Sequence, residues 1–126
     1  MLRMVKSGIL ILDSHLSRGV NLLKRNKEME QIIEKLVPIL QKYHIKKAIL
    51  FGSYAKGKAT PGSDIDLLVD SGLKGLKFVG LIEDIRQAAE KDVDVLDVSH
   101  IEKNSRIDHE INTEGVVIYE EQNHIN

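Results

Sequence analysis

The segment Asp64-Ile65-Asp66-Leu67-Leu68-Val69-Asp70 changes character at every second residue for most of its length. In an extended chain successive side chains point to opposite faces, so Ile65, Leu67 and Val69 share one side and Asp64, Asp66, Leu68 and Asp70 the other. This segment has to be a strand whose apolar side is covered. Three further short apolar runs qualify as its partners: Ala48-Ile49-Leu50-Phe51, Val93-Asp94-Val95-Leu96 and Gly115-Val116-Val117-Ile118-Tyr119. Covering helices are predicted before and between them. Met29, Ile32, Ile33, Leu36, Val37 and Leu40 repeat at helical spacing over 28–43, and Phe78, Leu81, Ile82, Ile85, Ala88 and Ala89 do so over 76–91. Ile101 to Ile111 is a third, shorter candidate. Pro38 removes an amide donor, so it is expected either to kink the first helix or to open a second one.

The chain's 126 residues suffice for one ordinary domain but not two, and 29% charged residues beside 42% apolar ones fit a water-soluble core-forming protein. Residues 28–121 are assigned to that domain, residues 1–27 to a basic extension and residues 122–126 to a polar tail. The extension carries six Lys/Arg against Asp13 alone, whereas the remainder carries twelve against eighteen acids. Short basic termini are commonly plain solvated chain, which is the expectation here, although nucleic acid or an acidic partner would also suit the charge. A weakly helical stretch from Leu16 to Leu23 and an apolar run from Gly8 to Leu12 are its only patterns. That run is too short for a membrane span or a signal sequence, so a cytoplasmic protein is expected. With no cysteine in the chain, any metal must be held by carboxylate, carbonyl or imidazole groups, and hard oxygen donors favour magnesium.

Asp64 and Asp66, two apart on one strand face, can share cations. Gly52-Ser53 ends the preceding strand, where a glycine lets a phosphate approach backbone amides and a serine hydroxyl adds a donor. Ten residues separate Ser53 from Asp64. Each feature is common by itself, but Gly-Ser, ten residues and Asp-x-Asp together form a specific pattern. It resembles the minimal nucleotidyltransferase (MNT) group of the DNA polymerase beta superfamily over about residues 29–120. The resemblance implies an α/β (α+β) fold, a small mixed β-sheet backed by helices, in which the glycine-serine turn grips ATP and the aspartates bind two Mg²⁺ ions.

By the same resemblance the third carboxylate comes from a neighbouring strand, and Asp94, flanked by Val93 and Val95, fits. It would be both metal ligand and acceptor of the attacking hydroxyl's proton. Asp92 and Asp97 are rivals expected to be solvated strand ends. Lys56 stands where relatives often have arginine and would contact the triphosphate as a point charge. Tyr54 and Lys58 are expected to pack or to be solvated. His15, His44, His100, His109 and His124 lack metal-ligand spacing and are expected at the surface. Neither a Gly-x-Ser-x-Gly elbow nor a P-loop is present, which removes the usual hydrolase and P-loop NTPase classes.

Larger relatives carry another domain that shapes the acceptor site, and this chain has no room for it. The acceptor is therefore expected to come from a homo-oligomer or a partner, and the latter resembles MNT antitoxins that transfer AMP to HEPN-type ribonuclease toxins. Nucleic acid is not expected as the direct substrate. A small-molecule nucleotidyltransferase of the antibiotic-modifying type and a non-catalytic antitoxin that only masks its partner are the alternatives.

Overall fold

A computed structural model describes residues 26–121. The patterns in Gly8–Leu12 and Leu16–Leu23, together with His15 and His124, lie outside the described residues. Helix α1 spans Lys27–Lys42 and opens on Asn26, whose side chain accepts a hydrogen bond from the Met29 amide at 2.9 Å. Glu28 and Glu30 in its first turn and Lys42 in its last suit the helix dipole. Met29, Ile32, Ile33, Leu36, Val37 and Leu40 are all buried, which is worth on the order of 10 kcal/mol by area. Pro38 neither ends this helix nor starts another. It is exposed, so the helix carbonyl that it leaves without a donor can face water.

The chain continues through β1 (Lys47–Phe51), the single turn α2 (Ser53–Lys56), β2 (Ile65–Asp70), α3 (Leu76–Ala89) and β3 (Val93–Asp97). A 3₁₀ turn at Val98–His100, helix α4 (Arg106–Glu114) and β4 (Val116–Glu120) complete it. The predicted third helix is displaced. Ile101 lies ahead of α4, and the helix begins only after Ser105, whose hydroxyl accepts from the Asp108 amide at 3.2 Å.

The four strands form one mixed sheet in the order β3-β2-β1-β4. β1 is antiparallel to both neighbours, and β2 and β3, joined by α3, are parallel. Helices α1 and α3 cover one face, where Ala48, Leu50, Ile65, Leu67, Val69, Val93, Val116 and Ile118 are buried. The opposite face holds a smaller cluster of Phe51, Leu68 and Ile111, with Ile49, Leu96 and Ile101 against it. Ile111 brings α4 to that second face. Gly115 ends α4 where a side chain would not fit, since a Cβ there would stand 2.6 Å from the Ile111 carbonyl oxygen and 2.7 Å from Ile49 Cγ2.

Candidate active site

The second sheet face is incompletely covered, and its acidic residues gather at the start of β2. Parallel pairing sets Asp66 beside Asp94 in register, and antiparallel pairing sets Asp66 beside Phe51, the last residue of β1. Neighbouring strands are about 4.8 Å apart, so the Asp66 and Asp94 side chains leave one surface within reach of a common cation. Asp64 immediately precedes the strand with the same parity as Asp66. Asp64 and Asp94 are exposed, whereas Asp66 is partly buried. Burial, followed by the charges of Asp94, Asp64 and Glu110, raises the Asp66 carboxyl above its ordinary range. A carboxylate destabilised in this way gains from a neighbouring cation.

The Gly-Ser turn is fitted to this carboxylate. Gly52 has φ 73° and ψ −149°, a conformation essentially restricted to glycine. A Cβ at this position would also collide with Asp66 Oδ2. Glycine is therefore required twice, once for the backbone and once to leave room for the acid. Ser53 then opens α2, which Gly57 closes in the left-handed conformation, with its amide directed to the Ser53 and Tyr54 carbonyls. Tyr54 is buried in the main core, in keeping with a packing role, and Lys58 is exposed.

Lys56 is not free. Its Nζ lies 3.4 Å from Glu110 Oε2 on α4. Beside this pair an open pocket is lined by Ala55, Lys56, Lys58, Thr113 and Glu114. Glu110 is the site residue that the pattern along the chain does not reveal, because it reaches Asp66 and Lys56 only through the docking of α4. Among the described residues no three His, Asp or Glu side chains are already gathered tightly enough to hold a metal ion. The donor set nevertheless fits a hard divalent cation: all oxygen, like-charged, on one face, with two of the three carboxylates at the surface where they can turn toward it.

Asp92 is exposed, as expected for a strand end, and its carbonyl accepts from the Ile65 amide at 3.0 Å. Asp97 is not solvated: only 3% of it is exposed. Its parity turns it from the Asp94 face, and there Ser71 and Ser99 donate to it. His44, His100 and His109 are at the surface. His100 is also structural, since its Nδ1 accepts from the Asp97 amide at 3.0 Å and its ring meets Phe78 edge-on.

A mixed sheet with an Asp-x-Asp strand start packed against a glycine-serine turn defines a nucleotidyltransferase core. The family model described as polymerase beta, nucleotidyltransferase matches residues 34–124, and the chain belongs to that family. A protein of Methanocaldococcus jannaschii provisionally named protein adenylyltransferase is 39% identical over 75 residues, covering 58% of this chain and 81% of the relative. Another relative from that organism, with the same kind of name, is matched over about half its length (49%).

Two solved structures share the fold. One is a crystal structure of a toxin-antitoxin with AMP-PNP, with TM-score 0.61 and 24% identity over 71% of this chain and 74% of that one. The other holds an MNT antitoxin in complex with the tri-AMPylated HEPN toxin of Shewanella oneidensis, with TM-score 0.57 and 21% identity over 73% and 72% of the two chains. Among the described residues no helix is long and apolar enough to cross a membrane.

Proposed function

We propose that this chain is a Mg²⁺-dependent nucleotidyltransferase that moves AMP from ATP to a hydroxyl of a partner protein, acting as the antitoxin of a HEPN/MNT pair. The observation that carries the reading is the close fit of Gly52 against Asp66, with Asp94 in register beside it. A phosphate-gripping turn and a carboxylate face share one seam, as attack on a nucleotide phosphate requires. The M. jannaschii relative's name and the AMPylated toxin of the solved complex support protein as the acceptor class. The toxin-antitoxin with AMP-PNP supports ATP as donor.

Asp64, Asp66 and Asp94 would hold Mg²⁺, which when bound neutralises triphosphate charge and makes the acceptor hydroxyl more acidic. Gly52 and Ser53 would seat the phosphates with backbone amides and a hydroxyl, and Lys56 would add a positive charge. The acceptor oxygen forms a bond to the α-phosphorus while the bond to the bridging oxygen breaks, releasing pyrophosphate. Asp94, exposed and the one of the three carried on the neighbouring strand, would take the hydroxyl proton. AMP left on a ribonuclease adds bulk and negative charge that oppose an RNA backbone.

The test combines this protein, MgATP and a candidate HEPN-domain partner from the same genome, followed by intact mass and RNA cleavage. AMP-sized mass increments should accompany loss of cleavage, and a folded Asp64→Asn/Asp66→Asn variant should produce neither. If that variant silences the partner equally with no mass change, masking replaces catalysis. If the wild-type protein leaves the partner unmodified and active, the protein acceptor is wrong and small-molecule acceptors become the better assignment.

A further inference from the structure

Glu110 is a carboxylate placed where the proposed chemistry has no use for one. It sits on α4 next to Ile111, whose side chain is buried with Phe51 and Leu68, so the core fixes its position. Its carboxylate pairs with Lys56 at 3.4 Å, and both side chains are about two-thirds shielded, with 38% and 29% of their surface exposed. It also lies close enough to Asp66 to act on that carboxyl along with Asp94 and Asp64. It therefore pairs with the cation that follows the Gly-Ser turn while its own negative charge adds to that of the acidic face. We infer that Glu110 is a positioning residue that holds Lys56 out of service until metal-bound nucleotide arrives, so that the site discriminates against nucleotide lacking its divalent cation.

The physical basis is competition for one ammonium group. In the free protein Lys56 is neutralised by Glu110, and a triphosphate can recruit it only by breaking that pair. Bare ATP would also meet the combined negative charge of Glu110, Asp64, Asp66 and Asp94. With a divalent cation present, the acidic face is offset and the triphosphate can draw Lys56 away. A partly exposed ion pair of this kind is weak, so the selection it exerts should be a few-fold rather than absolute.

This inference rests on the proposed nucleotide site, and binding separates the two. Affinity for a fluorescent ATP analogue is measured with Mg²⁺ and with chelator, for wild type, Glu110→Gln, Lys56→Met and the double variant. Glu110→Gln should tighten metal-free binding about two- to fivefold while changing metal-bound affinity less. In the Lys56→Met background the same substitution should give a clearly smaller gain, the part due to direct repulsion alone, and Glu110→Asp should restore part of the discrimination. A full gain that persists without Lys56 would overturn the positioning role and leave Glu110 a simple repulsive charge. Unchanged metal-free affinity in folded Glu110→Gln would overturn it outright. If wild type binds no nucleotide even with Mg²⁺, the nucleotide site itself fails, and Glu110 with it.

Discussion

Asp97→Asn tests how a nearly isosteric change propagates through a buried clamp. Asp97 Oδ1 accepts from the Ser71 amide and hydroxyl at 2.9 and 2.6 Å, and Oδ2 accepts from those of Ser99 at 2.9 and 2.7 Å. Burial works against the charge, yet these hydrogen bonds outweigh it and hold the carboxyl at about 2, below its ordinary 3.8. Nearly two units at 1.36 kcal/mol each correspond to about 2 kcal/mol of folding stability. Because the folded value is the lower one, this stabilisation is complete above pH 4–5 and disappears as pH falls toward about 2.

Asparagine keeps the shape but turns an NH₂ toward one pair of serine donors. That leaves a buried donor unpaired at a further cost of about 1–3 kcal/mol. A total loss of roughly 3–5 kcal/mol at neutral pH should appear in urea unfolding, with the difference between the two proteins narrowing by about 2 kcal/mol toward pH 2. A loss below about 1 kcal/mol at pH 7, or acid limbs that run parallel in the two proteins, would refute the clamp.

Gly52→Ala should cost about 1–3 kcal/mol in thermal or urea unfolding and, by displacing Asp66, lower transfer rates roughly 10- to 100-fold. Wild-type turnover in the folded variant would contradict the fit between turn and acid. Asp94→Asn removes a like charge beside Asp66, so carbon NMR titration without metal should find Asp66 moved back toward its ordinary value. Nucleotide transfer should fall at least about 100-fold in the same variant, and an unmoved Asp66 would show that the two acids do not face each other.

β2 was legible because burial on one face forces period two, and the other strands as short apolar runs; Asp64, Asp66 and Asp94 stand at positions of opposite parity to the main core. The two long helices were legible for the parallel reason, a stripe wide enough to close the main core. Other features depend on contacts that no local pattern encodes. Asp97 is buried by Ser71, 26 residues earlier, so its acidic letter alone suggested solvent. Ile101 looked helical beside Ile111, but it packs on the second core from an irregular segment, and Ser105 with Asp108 marks the true start of α4. Pro38 left a second helix open as an alternative because the pattern does not reveal that an exposed proline can ride on a helix held by six buried neighbours. Glu110 was invisible as a site residue, since its relation to Lys56 crosses more than fifty positions.

The unequal cladding of the sheet has a consequence for protein engineering. Stabilising substitutions confined to α1 and the α3 surface that covers the main core would leave the seam between Gly52, Asp66 and α4 untouched. That separation offers a tolerant scaffold on one side and an adaptable workbench on the other: α4 could be reshaped to alter the surroundings of Asp66 and Lys56 while the opposite layer keeps the chain folded.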